Sequence, residues 1–351
     1  LNGTGDSALD RDILDDLIDE GGEWAEKLAP GWAGNGYLLI VGETPVIPAF
    51  SRRYELYDTR DVGYTDNYYA STDDEVHHPD LAVGRIIGGN VNRLIEPIQA
   101  SLDLLSGAAE LTDESAAVIS GLARGPGGTS DEIDFTVERN DVADLLDDLG
   151  FTAYELHEPT EDEFFDYVNN RDFIYLAGHG GSGGWDVIAW DMIDDHFDPG
   201  GKRPVVFGAS CKTGSYYAGY SFAEAFLNGN AGAYIGATAN ATSPHCANLA
   251  RRFYGELAPG VPVGESLKLA KDSLVDAGDS DSRGYNRYNA AIFHFYGDPK
   301  IEVDWTARKW SPEGRAPRPL DGSQLGGPVA SLAVSVPMYA VTSSGGIDTV
   351  Q

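Results

Sequence analysis

Two apolar runs of similar build lie close together in the middle of the chain and constrain its fold more than any other feature. The first covers residues 172–179 and ends in Leu-Ala-Gly-His179, and the second covers residues 203–211 and ends in Gly-Ala-Ser-Cys211. A short apolar run bounded by glycine is typical of a strand that is buried on both faces, as in parallel sheets. In open α/β sheets the working groups lie just beyond the carboxyl ends of the strands. The sequence therefore predicts His179 and Cys211 at neighbouring places on one sheet edge.

A histidine beside a cysteine can support nucleophilic catalysis, since the histidine moves the proton while the thiolate attacks a carbonyl. Both residues also have ordinary interpretations. Most free cysteines are small buried apolar residues, and His179 could be a turn histidine bonded to backbone. The glycines in Gly-His-Gly-Gly-Ser-Gly-Gly argue against that second interpretation, because so flexible a backbone is costly to order unless it must approach a ligand. Lys212, directly after the cysteine, would favour the thiolate.

Segments with strand and helix patterns alternate along most of the chain, which is typical of a doubly wound parallel sheet. A first α/β unit, residues 1–109, is predicted to begin with an acidic amphipathic helix over residues 8–28 and to contain a buried strand at Tyr37–Val41. Residues 50–79 are rich in Tyr and Asp without periodicity and predict a long structured loop. This unit has no candidate nucleophile, so we expect it to support the other.

The second unit, residues 110–305, contains both apolar runs and is the predicted catalytic unit. Beyond it, residues 306–351 begin with closely spaced Pro and Gly, typical of a linker, and end in a β-rich tail. The tail is too short for a sandwich domain, and its strand could dock on a neighbouring chain.

The order of several motifs resembles that of the gingipain branch of the caspase–legumain–gingipain group of cysteine peptidases. The His-Gly block and the later block ending in Cys match the signature of that group. Residues 37–50 resemble the family's early strand and its "VGD…IPPF" turn, residues 65–69 with 79–85 resemble "SD…Y…GR", and residues 296–300 resemble "FGDPS". The resemblance covers about residues 36–305. It implies a caspase-like α/β fold with doubly wound, mostly parallel sheets in two side-by-side subdomains.

The resemblance also implies roles for site residues. Cys211 would be the nucleophile and His179 would protonate the leaving amine. The backbone amides of Gly180 and Cys211 would form the oxyanion hole. The family carries a third catalytic acid on the turn after the strand at residues 116–119, but this chain has Arg124 there. Because of this departure, the site would contain either a Cys-His dyad alone or a different residue that orients the histidine.

Substrate contacts are implied at three further positions. Asp134 falls near the family's primary specificity acid, which would favour a basic residue before the cleaved bond, although a solvated carboxylate explains it equally well. Trp185 matches a family tryptophan that walls the pocket, and it could equally be a core residue. Asn240 lies in a segment, residues 237–244, that matches one lining the substrate cleft.

The net charge of −32 disfavours nucleic acid and anionic membranes as partners, because like charges repel. It fits adaptation to high salt, or binding of structural calcium. The candidate calcium ligands Asp66, Asp73, Asp74 and Glu75 lack the spacing of a known loop. No zinc-ligand spacing is present, no cofactor is required for the chemistry, and no apolar run approaches the roughly 20 residues of a membrane span.

The sequence and the resemblance together predict a secreted or cell-surface cysteine endopeptidase that acts on proteins or peptides. The alternative is a surface or structural module whose peptidase activity is lost or spent in self-processing, and which assembles through its C-terminal strand. Intact His179 and Cys211 favour the enzyme, while Arg124 leaves room for the module.

Overall fold

The computed structural model describes residues 36–43, 47, 49–53, 62–71, 75–123, 133–216, 219–278, 283–305, 339–341 and 347–349. The predicted helix over residues 8–28, Arg124, Asp73, Asp74 and the linker after residue 305 lie outside these ranges.

The described strands and helices alternate, as the sequence predicts. The strands are β1 Gly36–Val41, β2 Phe50–Arg53, β3 Val62–Thr65, β4 Leu81–Ile86, β5 Ser115–Ser120, β6 Thr152–His157, β7 Phe173–Ala177, β8 Gly180–Gly181, β9 Gly184–Trp185, β10 Ile188–Ala189, β11 Val205–Ala209, β12 Ala233–Ala237, β13 Phe293–Gly297, β14 Tyr339–Val341 and β15 Ile347–Thr349. The helices are α1 Asn67–Ala70, α2 Val91–Ser106, α3 Thr136–Asp148, α4 Glu161–Val168, α5 Trp190–His196, α6 Phe222–Asn228, α7 Ser243–Glu256, α8 Val263–Asp276 and α9 Arg283–Ile292.

Eight of these strands form one sheet in the order β1-β4-β13-β12-β11-β7-β5-β6. The strands from β12 to β6 are parallel to one another, and β1, β4 and β13 run the opposite way, since β13 is antiparallel to β12 and parallel to β4. The predicted α/β fold with a mostly parallel sheet is thus confirmed. The sheet crosses the predicted unit boundary at residues 109 and 110, so the division into two units stays a prediction.

The central strands are buried on both faces, which explains why their sequences are continuously apolar. Along β7, Phe173, Tyr175 and Ala177 face one hydrophobic cluster and Ile174 and Leu176 face the other. Helices α3, α7, α8 and α9 contribute to the first cluster, and α4, α5 and α6 contribute to the second. The sheet is therefore sandwiched between two helical layers, as a doubly wound fold requires.

The prediction of a long structured loop over residues 50–79 is wrong in part, because this region contains strands and a helix. β2 and β3 pair in antiparallel register, with Phe50 opposite Thr65, and α1 follows at once. Each of these strands has only four residues, FSRR and VGYT, which is too short a run to show an alternation of apolar and polar residues in the sequence.

A buried ion pair attaches this region to the sheet. Arg85 on β4 has no exposed surface and donates to both carboxylate oxygens of Asp66 at 2.6 and 2.7 Å. His294 on β13 lies beside the pair, with Nδ1 3.4 Å from Asp66 and Nε2 2.9 Å from the Tyr64 carbonyl. The pair thus gives a physical reason for the Asp and Arg of the two motifs noted in the sequence.

Of the helices that the structure describes, none combines the length and apolar character that a membrane span demands.

Candidate active site

The pairing of β7 with β11 brings the two predicted catalytic residues together. The strands are parallel, and Ala177 is opposite Ala209 at their carboxyl ends. His179 and Cys211 each follow two residues after these alanines, so they lie at equivalent positions just beyond the ends of adjacent strands. Both side chains are half-buried, which leaves them open to a ligand from the sheet edge.

Gly180, directly after His179, packs closely against the turn that carries Cys211. A Cβ atom at this position would lie 2.8 Å from the Cys211 carbonyl oxygen and 2.8 Å from Thr213 Cγ2. The backbones on which the oxyanion prediction rests are therefore adjacent, although the role of their amides stays a prediction.

This tight contact predicts that Gly180→Ala is damaging while Gly181→Ala is tolerated. A Cβ at Gly181 would meet nothing within 4 Å, whereas the added methyl at Gly180 must push apart the two strand ends. We expect Gly180→Ala to lower kcat/KM for a peptide substrate by about 10²-fold, the effect of a displacement near 1 Å. Equal rates for the two variants, measured at matched thermal stability, would contradict the close approach.

The turn that carries Cys211 is held by the segment after β12. The Lys212 amide donates to the Ala239 carbonyl at 3.0 Å, and Lys212 has the left-handed φ of +57°. The Cys211 thiol points to the Ala241 carbonyl at 3.4 Å. Asn240, which is predicted to line the substrate cleft, directly precedes Ala241 and therefore lies close to the thiol. Its carbonyl accepts a hydrogen bond from the Tyr288 hydroxyl at 2.7 Å. Its contact with substrate stays a prediction.

The ring of His179 is oriented from two sides. Its Nε2 lies 3.4 Å from the Ala123 carbonyl oxygen, and Phe135 packs edge-on at a centroid distance of 5.2 Å. Because a carbonyl can only accept, this contact favours the tautomer with the proton on Nε2, in which Nδ1 is the basic nitrogen. The glycine-rich stretch after His179 is ordered into the short strands β8, β9 and β10.

A carboxylate lies next to His179 on this hairpin. The Asp186 amide donates to the His179 carbonyl at 2.9 Å, and its Oδ2 accepts from the Leu122 amide at 2.8 Å. Burial raises the pKa of the Asp186 carboxyl, while the Leu122 hydrogen bond and the nearby His179 act in the opposite direction. The sequence analysis did not single out this residue, since two-residue strands leave too little alternation to reveal the hairpin that positions it.

Trp185 supports the site from below, and the expectation that it walls the substrate pocket needs correction. The ring has no exposed surface and packs near Phe164 at 5.9 Å between centroids. A Cβ at Gly178, directly before His179, would lie 2.8 Å from the indole nitrogen. The ring thus lies beneath the strand end in the core, which was the other interpretation of this residue.

Asp134 is exposed and accepts from the Thr136 amide at 2.9 Å and from the Thr136 hydroxyl at 2.5 Å. These hydrogen bonds lower the pKa of its carboxyl and place it at the start of α3. This geometry is that of a local turn, and recognition of a basic substrate residue by Asp134 stays a prediction.

A second partly buried carboxyl, which the sequence analysis also missed, contacts the start of α7. Glu138 on α3 accepts from the Ser243 hydroxyl at 2.5 Å, and burial raises its pKa to about 7. The thiol of Cys246 lies in the same region, is buried, and has its pKa raised by burial. The structure thus places Cys246 in the core, away from solvent, and leaves Cys211 as the accessible thiol of the described chain.

The described residues contain no cluster of three or more His, Cys, Asp or Glu side chains that could hold a metal ion. Of the predicted calcium ligands, Asp66 is occupied by Arg85, and Asp73 and Asp74 lie outside the described ranges. Structural calcium therefore stays a prediction.

Comparison with known proteins places this geometry in context. The model of peptidase family C25 matches residues 26–304, while no curated protein matches the chain. The solved complex of the Porphyromonas gingivalis RgpB pro- and mature domains is 18% identical with a TM-score of 0.65, and the match covers 84% of this chain and 70% of that one. The Arg specific cysteine proteinase gingipain R (RGPB) is 19% identical with a TM-score of 0.65, and the match covers 84% and 68%. At such identities the likeness shows a shared fold.

Proposed function

The chain belongs to peptidase family C25, the gingipain family, and from this premise we propose that it is a secreted cysteine endopeptidase with Cys211 as nucleophile and His179 as its acid and base. The observation that carries the proposal is the register of β7 and β11, which sets both residues two positions beyond paired alanines. The resemblance noted in the sequence is confirmed by the family match.

In the proposed mechanism, the thiol proton passes to His179 Nδ1 and the Cys211 sulfur attacks the carbonyl carbon of the substrate. The amides of Gly180 and Cys211 stabilise the negative charge on the carbonyl oxygen. The imidazolium then gives its proton to the leaving amine as the C–N bond breaks, and a thioester remains on Cys211. Water, deprotonated by His179, releases the carboxylic acid and restores the thiol.

Specificity and location are further parts of the proposal. A basic side chain before the cleaved bond would pair with Asp134, which is exposed at the start of α3. Gingipain R, one of the structurally similar proteins, is Arg specific, which agrees with this choice. A secreted or surface location and protein substrates fit the family, and the strongly negative charge suits a protein that must stay soluble at high salt. Assembly through the C-terminal strand also stays a prediction, since β14 and β15 pair with each other.

The direct test is covalent labelling with acyloxymethyl ketone probes that carry Arg, Lys, Asp or Asn at the position before the cleaved bond. We expect the wild type to be labelled and Cys211→Ala to remain unlabelled, because the probe needs a thiolate held beside its carbonyl. Preference for Arg and Lys probes, lost in Asp134→Asn, would support the proposed specificity.

The matched control is Cys246→Ala, which removes the buried thiol and should leave labelling unchanged. If no probe labels the wild type, with calcium added and at both low and high salt, the peptidase proposal fails. The catalytically silent or self-processing module would then be favoured.

A further inference from the structure

The described part of the active site contains one carboxylate directly beside the predicted catalytic histidine, and it does not come from the expected place. The family resemblance puts an acid on the turn after β5, where this chain has Arg124. Asp186 instead lies on the turn between β9 and β10, whose flanking residues Trp185 and Ile188 pair directly.

Two hydrogen bonds fix Asp186 against the catalytic strand end. Its amide binds the His179 carbonyl, and its Oδ2 binds the Leu122 amide at 2.8 Å. The carboxylate also packs against Gly121, where an added Cβ would lie 2.6 Å from Oδ2. The side chain is therefore clamped between the ends of β5 and β7.

The segment that Asp186 holds is the one that orients the histidine. Leu122 donates to the carboxylate, and the next residue, Ala123, presents its carbonyl oxygen 3.4 Å from His179 Nε2. The Gly121 amide adds a 2.8 Å hydrogen bond to the Ala177 carbonyl of β7. The carboxylate thus fixes the position of the carbonyl that faces Nε2 and favours the tautomer with the proton on that nitrogen.

The charge of Asp186 is positioned to act on the same ring. Its Oδ1 is buried and has no hydrogen-bond partner among the described residues, so part of its charge is not neutralised by a donor. The other described charged groups that affect it are His179 and Glu158. Glu158 is exposed and lies 3.7 Å from His157, so solvent and that partner screen it.

We propose that Asp186 is the positioning carboxylate of this site: it fixes the Gly121–Ala123 segment against His179 and stabilises the imidazolium electrostatically. The inference rests on the proposed function, since it assigns a partner to the proposed acid and base. In this assignment the carboxylate comes from the hairpin that follows the histidine, whereas the family resemblance aligns the third catalytic acid with Arg124.

The test compares Asp186→Asn with Glu158→Gln, each of which removes one negative charge. Asp186 has a left-handed φ of +50°, which asparagine tolerates well, and an amide oxygen can still accept from Leu122. The fold and the local hydrogen bond are therefore kept while the charge is lost. The readout is the rate at which iodoacetamide alkylates Cys211, followed by mass spectrometry across the pH range, with buried Cys246 as an internal reference for unfolding.

We expect the midpoint of the alkylation profile to move upward by about one pH unit in Asp186→Asn, because a thiolate loses its cationic partner more easily without the carboxylate. Glu158→Gln should superimpose on the wild type. With a peptide substrate, Asp186→Asn should lower kcat by about tenfold with KM unchanged, and the alkaline limb of its rate profile should move to lower pH.

Superimposed alkylation profiles for Asp186→Asn and wild type would overturn the proposal, as would an equal shift in Glu158→Gln. Alkylation needs no turnover, so the result is informative even if the wild type hydrolyses no peptide. Failure of the peptidase proposal and failure of the Asp186 assignment are therefore distinguishable.

Discussion

Replacement of Cys211 by alanine is expected to lower kcat/KM for peptide hydrolysis by about 10⁴- to 10⁶-fold, and His179→Ala should have an effect of similar size. The reason is that the two side chains act as one unit: without the base the thiol is a poor nucleophile, and without the thiol the base has nothing to activate. Steady-state kinetics on a fluorogenic peptide, with circular dichroism to verify the fold, measures both losses.

The double variant gives a sharper result than either single one. Because the residues cooperate, Cys211→Ala combined with His179→Ala should be no slower than the worse single variant. Strictly additive losses would show that the two act independently, which would remove the dyad. Cys246→Ala is the matched control, since that thiol is buried in α7 and should affect stability alone.

Replacement of Asp66 by alanine should cause the largest loss of stability, about 3–5 kcal/mol in the free energy of unfolding. The change leaves the Arg85 guanidinium with no exposed surface and without its bidentate carboxylate. Burial acts to raise the pKa of the Asp66 carboxyl, but Arg85 and His294 outweigh it and hold that pKa well below its usual range. Urea denaturation at neutral pH measures the loss.

Two comparisons identify the cause as the unpaired charge. Replacing the pair together, by Asp66→Leu with Arg85→Met, should cost much less than Asp66→Ala, because no charge is left buried. Since the folded-state pKa of Asp66 is depressed, its contribution is complete above the ordinary carboxyl range and is lost as pH falls through that depressed value. The wild type and Asp66→Asn should therefore converge in stability only at strongly acid pH, and a constant difference there would exclude the ion pair as the cause.

Much of the fold follows from local pattern in the sequence. The runs that became β7 and β11 are apolar without interruption because both faces are covered, and glycine marks where each ends. The start of helix α4, Glu161–Val168, is also marked by local sequence, since Thr160 and Glu163 form a capping box just before an apolar stripe. To predict that β7 and β11 pair with each other, the family resemblance was needed as well as their apolar pattern.

The parts that sequence could not predict are those in which a residue's role depends on a distant neighbour. Asp186 looks like any polar turn residue until β9 and β10 fold back and set it beside Leu122. Trp185 could equally be pocket or core, and the small residues Gly121 and Gly178, which leave room for its ring, decide for the core. The start of α3 at Thr136 is likewise not evident from an apolar pattern, because the first turn of this helix is mostly polar and Asp134 fixes it through hydrogen bonds to Thr136.

The position of β13 has a consequence for how the protein is made. β13 connects β4 to the rest of the sheet, with Arg85 of β4 opposite Tyr296 of β13. The ribosome must therefore synthesise about 200 further residues after β4 before this pairing can form. Until then β4 presents an unpaired edge, the kind of surface at which nascent chains associate wrongly. Truncation before residue 293 should therefore yield aggregates rather than a smaller folded protein, and chaperone demand should be greatest late in translation.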